Sequence, residues 1–190
     1  MTKDDVDPIR EMGIIIGNVA GDKVKNRIMD GSEKIADASA EEVALWLKGA
    51  MDKLDSLDEK TRIQIMENCG FNCARINMSH IEEARKKREK FETLDEFLEA
   101  EEENPARGTR LVRKGDIMYQ YYDPSAFNTR CFCSLWRGLK EDDTVSPTWC
   151  QCSKGFVMKL WEMYLGRPPK VNLVESCISG AEECTFLIHL

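Results

Sequence analysis

The chain has 190 residues and a formal net charge of −7, because 27 lysines and arginines stand against 34 aspartates and glutamates. Its apolar content of 42% and charged content of 32% are ordinary for a globular domain, and a chain of this length buries a core without needing disulfide staples. The acidic balance argues against non-specific nucleic-acid binding, which requires a basic surface.

The start of the chain, Met1-Thr2-Lys3-Asp4-Asp5, is polar and acidic. It lacks the apolar segment that follows the charged start of a secretory signal, so we expect no signal. The apolar runs of the chain are only a few residues long, too short to span a bilayer. We therefore expect a cytoplasmic protein without a membrane partner, in a compartment where thiols stay reduced and paired cysteines more often bind metal.

The first half of the chain is predicted to be a helical array. Residues 1–38 indicate helix interrupted at Gly21 and Gly31. Beyond them one helix-start signal recurs, the capping box, in which a hydroxyl accepts from one amide and a carboxylate three residues on accepts from another. The four boxes are Ser39-x-x-Glu42, Ser56-x-x-Glu59, Ser79-x-x-Glu82 and Thr93-x-x-Glu96. They predict helices that start near Ala40, Leu57, His80 and Leu94.

After Gly108 the hydrophobic period becomes that of strands. Residues 110–113 and 116–122 predict a hairpin, and residues 129–135, which carry the first Cys-x-Cys pair, predict a third strand. Ser153 is expected to cap a helix that starts near Lys154 and ends at Gly166. Two final strands, at residues 171–178 and 184–190, are predicted to pair antiparallel around residues 179–183.

This order of elements predicts an α+β fold, in which an N-terminal helical array is followed by an antiparallel sheet with a packed helix and a C-terminal β-hairpin. We expect a single domain over residues 1–190, with residues 1–105 mainly helical and residues 106–190 containing the sheet and the cysteine pairs. The apolar face of the helix after Ser153 is expected to pack on the last strand. That prediction buries Val157, Leu160, Trp161, Phe186 and Ile188 together.

Six of the eight cysteines come in close pairs, which are Cys69/Cys73, Cys131/Cys133 and Cys150/Cys152. Residues i and i+2 of a strand share a face, and opposed residues of neighbouring strands lie about 4.5–5.5 Å apart at Cβ. Two adjoining Cys-x-Cys pairs would therefore place four thiols on one patch. Four thiolates suit zinc or an iron–sulfur cluster. We predict a metal site at Cys131, Cys133, Cys150 and Cys152, with Cys69 and Cys73 close enough to contribute.

Other interpretations of the cysteines stay open at this point. Disulfides compete with metal binding, and Cys69 with Cys73 could act as a redox pair beside a helix. Cys177 and Cys184 are interpreted as buried apolar filler. His80 is expected on the surface at a helix start, and His189 in a hydrogen-bonded structural role. None of the familiar nucleophile, phosphate or dinucleotide motifs occurs in the sequence.

From Trp149 to its end the chain resembles a known family. The residues that carry the resemblance are Trp149-Cys150-Gln151-Cys152-Ser153-Lys154-Gly155-Phe156, Leu165-Gly166-Arg167-Pro168, Val171-Asn172-Leu173, Glu175-Ser176 and Gly180-x-x-x-Cys184-x-Phe186-x-Ile188, with a weaker echo at Cys69-Gly70-x-x-Cys73-Ala74. They resemble the 4-vinyl-reductase-type small-molecule-binding domain and the related L-2-amino-thiazoline-4-carboxylic acid hydrolase-like proteins. Those relatives usually have Gly-Asp before the late cysteine, where this chain has Gly180-Ala181.

The resemblance implies an α+β fold with an antiparallel sheet and a small-molecule ligand. Two classes of function follow from it. The first is a binding or sensor-like module whose cysteines hold zinc or an iron–sulfur cluster. The second is a metal- or thiol-dependent hydrolase acting on a C–N bond, which would need an open metal position or a base within reach of a cysteine. The sequence leaves open the catalytic residues, the ligand and the oligomeric state, including a homodimer.

Overall fold

The computed structural model describes residues 7–190, so the acidic start at residues 1–5, from which we expect no secretory signal, lies outside the described residues. The described part has the predicted α+β fold, with a helical array followed by a four-stranded antiparallel sheet. Its α-helices are α1 Pro8–Ala20, α2 Asp22–Ile28, α3 Ala40–Asp55, α4 Glu59–Ile76, α5 Met78–Arg88, α6 Leu94–Glu103 and α7 Gln151–Leu165. Its strands are β1 Thr109–Lys114, β2 Ile117–Tyr122, β3 Lys170–Glu175 and β4 Cys184–His189.

Two of the four predicted capping boxes form. The Ser39 hydroxyl accepts from the amide of Glu42, whose carboxylate accepts from the Ser39 amide at 2.8 Å. Thr93 and Glu96 make the same reciprocal pair at the start of α6. Both pairs satisfy amides that would otherwise have no partner in the first turn of a helix. The predicted starts of α3 and α6 are therefore confirmed.

The other predicted helix starts are wrong by two or three residues, because different residues occupy the cap. Helix α4 begins at Glu59, since the Asp58 carboxylate accepts from the Thr61 amide at 3.0 Å. Ser56 instead ends α3 and donates to the Lys53 carbonyl at 2.6 Å.

Helix α5 begins at Met78 after Asn77, so Ser79 lies inside the helix. Helix α7 begins at Gln151 with Cys150 as its N-cap, so Ser153 lies in the first turn and caps nothing.

The sheet has the strand order β1-β2-β4-β3, and all of its pairs are antiparallel. The predicted hairpin of β1 and β2 and the antiparallel pairing of the last two strands are confirmed. The predicted third strand at residues 129–135 is wrong. Strand β4 occupies the position beside β2, and residues 129–135 form an irregular segment that runs into a 3-10 turn at Ser134–Trp136. Strand β3 ends at Glu175, before a second such turn at Cys177–Ser179.

Helix α7 packs on the inner face of the sheet. Val157, Trp161, Phe186 and Ile188 are buried in one cluster, as predicted. Leu160 is also buried, but it packs with residues of α4 and α5 instead, so this part of the prediction is wrong. The reason is the position of α7 between the sheet and the helical array, which buries two of its faces. None of the helices among residues 7–190 has both the length and the apolar character needed to cross a membrane.

Candidate functional site

The crossing of α4 and α7 positions four of the eight cysteines. Cys69 and Cys73 lie on α4, Cys150 is the N-cap of α7, and Cys152 lies in its first turn. The two backbones approach closely because glycine stands at both contact points. A Cβ at Gly70 would lie 2.0 Å from the carbonyl oxygen of Cys152, and a Cβ at Gly155 would lie 2.3 Å from the carbonyl oxygen of Glu67.

The segment that carries Cys131 and Cys133 is tied to the same place. The Arg137 guanidinium donates to the carbonyl oxygen of Cys131 and to the Thr129 hydroxyl, which fixes the backbone on the N-terminal side of the 3-10 turn. The Trp136 ring packs edge-on against Trp149, with ring centroids 5.1 Å apart. This contact joins the irregular segment to the start of α7, and hence Cys133 to Cys152.

A first cysteine group, consisting of Cys69, Cys73, Cys133 and Cys152, lies around Cys152. Burial raises the pKa of Cys152 well above its usual value, and the charges that Cys69, Cys73, Cys133 and Cys150 would carry as thiolates raise it further. Burial, and then a neighbouring thiolate charge, raises the pKa of Cys69 and that of Cys133 to about 12. These thiols are therefore close enough for ionisation of one to disfavour ionisation of the next, and those of Cys69, Cys133 and Cys152 are protonated at neutral pH.

Two polar side chains of this region favour the thiolate form. The Asn77 amide donates to the Cys73 Sγ at 3.5 Å and to the carbonyl oxygen of the same residue at 2.8 Å. The Arg137 charge opposes the effect of burial on the pKa of Cys133. Hydrogen bonds to ligand sulfurs and nearby cations are means by which proteins stabilise bound metal centres.

A second cysteine group consists of Cys131, Cys150, Cys177 and Cys184. The Sγ atoms of Cys177 and Cys184 lie 3.6 Å apart, and the Cys177 amide donates to the Cys184 Sγ at 3.4 Å. The Cys150 Sγ lies 2.8 Å from the Ser176 hydroxyl. Thiolate charges at Cys131, Cys150 and Cys184 all raise the pKa of Cys177, so the four thiols are neighbours.

Cys184 differs from the other thiols of this group. The hydrogen bond that the two thiols share, together with the hydrogen bond from the Cys177 amide, lowers the pKa of Cys184 to about 7, and the shared bond raises the pKa of Cys177. Burial raises the pKa of Cys150 to about 12 and also raises the pKa of Cys131. Cys184 is thus the first sulfur of the pair to ionise as the pH rises.

The structure brings the six predicted metal-site cysteines into one region, where the two groups adjoin, because a thiolate charge at Cys150 raises the pKa of Cys152 and one at Cys131 raises the pKa of Cys133. Each Cys-x-Cys pair contributes one residue to each group, since Cys133 and Cys152 belong to the first and Cys131 and Cys150 to the second. The same-face argument for these pairs is wrong, because neither pair lies on a strand. Cys69 and Cys73 both belong to the first group.

The sequence interpretation missed Cys177 and Cys184. We expected apolar filler, but their sulfurs face each other across the connection between β3 and β4. A signal was present in the sequence, because the two cysteines flank the predicted hairpin turn at residues 179–183. Residues that flank a tight turn lie close together.

The first cysteine group fits a thiophilic metal in the type and number of its donors, since four thiolates suit zinc or an iron–sulfur cluster. In the described part of the chain, no three His, Cys, Asp or Glu side chains converge as ligands of a single ion. The first cysteine group therefore suits a metal by the chemistry of its sulfur donors and by the closeness of its thiols to one another.

The two histidines have other contacts. The His80 ring stacks on Phe156 with centroids 6.3 Å apart, and His189 shares a hydrogen bond of 3.2 Å with Asn172. A surface groove of about 510 Å³ lies along α6, and a cavity of about 70 Å³ lies between α3 and residues 138–143. Neither space is lined by a cysteine.

The pKa difference predicts selective alkylation. Iodoacetamide should modify Cys184 first, and the rate should rise as the pH passes about 7, because the thiolate is the reactive form. The charge of Glu175 opposes ionisation of Cys184. The other titratable neighbours ionise only at higher pH, and they are Tyr122, Cys131, Cys150 and Cys177. Mass spectrometry of digested protein across a pH series measures the rate at each cysteine.

The Cys177→Ala variant is the control for this prediction. It removes the thiol that shares a hydrogen bond with Cys184, so the pH profile of Cys184 should move to higher pH. Equal alkylation of Cys69 and Cys184 at neutral pH in the folded protein would contradict the assignment.

A search of curated proteins found no match to the chain. Among solved structures, an H-NOX protein from S. oneidensis, a triple mutant in the Fe(II) ligation state, aligns with a TM-score of 0.47 and 13% identity, over 100% of this chain and 96% of that chain. An H-NOX protein from S. oneidensis in the Fe(II)NO state aligns with a TM-score of 0.43 and 14% identity, over 100% of this chain and 99% of that chain. A family model described as a family of unknown function (DUF6144) matches residues 5–190, and the chain therefore belongs to that family.

Proposed function

We propose that the protein is a cysteine-rich binding module that holds zinc or an iron–sulfur cluster through Cys69, Cys73, Cys133 and Cys152. The observation that carries the proposal is that these four thiols, from three separate segments, are neighbours around Cys152, beside which Cys150 also lies. Helix α4, the irregular segment before the 3-10 turn and the start of α7 each supply part of the group. Four cysteine thiolates in one neighbourhood are a donor set that suits zinc or an iron–sulfur cluster.

A bound metal would change the ionisation of these thiols. Several neighbouring thiols are held protonated by burial, so each is a poor nucleophile at neutral pH. A bound cation reverses this preference, because its positive charge stabilises the thiolates. When bound, zinc would supply a structural link between the segments, and an iron–sulfur cluster would supply an electron carrier. The Asn77 amide would then stabilise the thiolate of Cys73.

The small-molecule part of the proposal rests on the resemblance of the segment from Trp149 to the 4-vinyl-reductase-type domain. A cytoplasmic location agrees with the dependence of the site on reduced thiols. The hydrolase alternative stays a prediction that no described contact favours. Its thiol form requires a base beside a nucleophilic cysteine, and the described contacts of His80 and His189 are with Phe156 and Asn172.

Metal analysis tests the proposal. Protein expressed with zinc and iron supplements and purified without oxygen should contain stoichiometric zinc, or iron with the visible absorption of a cluster. Acidification should release the metal, because protons compete for the ligand thiolates. Inductively coupled plasma mass spectrometry and a visible spectrum recorded during a pH titration measure both effects.

Two variants sharpen this test. Cys152→Ala should lose the metal, since Cys152 lies next to three other members of the group. Cys177→Ala is the matched control from the second group and should keep it. Circular dichroism establishes that both variants are folded. Metal-free wild-type protein, or full metal content in folded Cys152→Ala, would overturn the proposal.

A further inference from the structure

Cys177 and Cys184 face each other at the end of the β3–β4 connection. Their Sγ atoms lie 3.6 Å apart as free thiols, at van der Waals contact. A disulfide requires sulfurs about 2.0 Å apart and Cα atoms within about 7 Å. The turn between the two residues is held by the Ser176 carbonyl, which accepts from the amides of Ser179 at 3.0 Å and Ala181 at 3.1 Å. The two sulfurs must therefore approach by about 1.6 Å to form a disulfide.

We propose that Cys184 and Cys177 form a hydroperoxide-reactive dithiol, in which Cys184 is the attacking thiolate and Cys177 resolves the oxidised sulfur. Cys184 attacks the peroxide oxygen of ROOH, the O–O bond breaks, and ROH leaves once the alkoxide takes a proton. Cys184 is then a sulfenic acid. The Cys177 sulfur attacks the Cys184 sulfur, the S–O bond breaks, and water leaves as the disulfide forms. The two thiols lose two electrons and two protons, and the peroxide takes up these electrons and protons.

The contacts of Cys184 assign it the attacking role. Its sulfur accepts from the Cys177 amide at 3.4 Å and lies 3.6 Å from the Cys177 sulfur. A backbone amide has a fixed proton, so this donor favours the thiolate form of Cys184.

Cys177 suits the resolving role. Its sulfur is directed at Cys184 and at the Glu182 carbonyl, at 3.6 and 3.4 Å. Both cysteines are partly exposed, so a small peroxide can reach the pair. The first cysteine group lacks this arrangement, because burial raises the pKa of its thiols.

The sequence offers a direct readout of this reaction. Trypsin cleaves after Lys170, and residues 171–190 contain no further lysine or arginine, so Cys177 and Cys184 share one peptide that holds no other cysteine. Reduced protein is desalted without oxygen, treated with equimolar hydrogen peroxide in the presence of a chelator, alkylated and digested. The expected product is this peptide with two hydrogens fewer and no alkyl group, while the peptide carrying Cys69 and Cys73 remains alkylated.

Single variants separate the two roles. Cys177→Ala should leave Cys184 as a sulfenic acid that dimedone captures, and Cys184→Ala should leave Cys177 reduced. Oxidation of Cys69 or Cys73 before the peptide of residues 171–190, or a disulfide from Cys184 to Cys150, would overturn the proposal. Because the protein is treated with a chelator and the first cysteine group takes no part, the result is independent of whether that group holds a metal.

Discussion

Gly70→Ala should lower the free energy of unfolding by at least about 3 kcal/mol, the upper part of the range for overpacked sites. The new Cβ would lie 2.0 Å from the carbonyl oxygen of Cys152 and 2.8 Å from both the Gly155 Cα and the Phe156 nitrogen. These atoms are all backbone, so no side-chain rotation relieves the clash, and α4 and α7 must separate. Urea denaturation followed by circular dichroism measures the change.

Gly49→Ala is the matched control. Gly49 lies in the interior of α3, and a Cβ there meets nothing within 4 Å. Alanine should therefore stabilise the protein by up to about 1 kcal/mol through its higher helix propensity. Gly155→Ala should behave like Gly70→Ala, because its Cβ would lie 2.3 Å from the Glu67 carbonyl oxygen. A Gly70→Ala protein as stable as wild type would show that the helices do not cross as described.

Trp161→Ala should cost about 3–5 kcal/mol of stability, as buried aromatic truncations do. Trp161 is 1% exposed and packs against Val157 and Phe186 beneath the sheet. Its indole nitrogen also donates to the Gln120 Oε1 at 2.7 Å, and Gln120 is itself buried. The substitution therefore leaves both a cavity and an acceptor without its donor. Thermal and urea unfolding measure the loss.

Leu45→Ala provides the comparison for an apolar residue outside the core. Leu45 is 71% exposed on α3, so its truncation should change stability by no more than about 0.5 kcal/mol. An unchanged thermal midpoint for Trp161→Ala would contradict the packing of α7 on the sheet.

The fold class was predictable because its signals are local. The capping boxes at Ser39 and Thr93 formed as predicted, and the change of hydrophobic period at Gly108 marked the sheet. The box at Ser56 failed because a second capping residue, Asp58, stood two positions on and gave α4 its first turn. Sequence patterns identify candidate caps, but competition between neighbouring caps is decided by the packing of the whole helix.

The candidate site was less predictable because it depends on contacts between distant segments. The close cysteine pairs drew attention to the correct region, yet their division into two groups follows from the irregular path of residues 129–135 and from the crossing of α4 and α7. Gly70 and Gly155, both inside helices, were signals of a close backbone approach. Which cysteine faces which neighbour could not be read from spacing once the strand assumption failed.

The position of β4 sets an order of assembly during synthesis. This late segment, Cys184–His189, lies between β2 and β3 and pairs with both, so the sheet cannot close until it has left the ribosome. The first cysteine group needs helix α7 to pack on α4, whereas the second group also waits for Cys184. The elements that hold the proposed metal ligands therefore all precede the strand that completes the proposed peroxide-reactive pair.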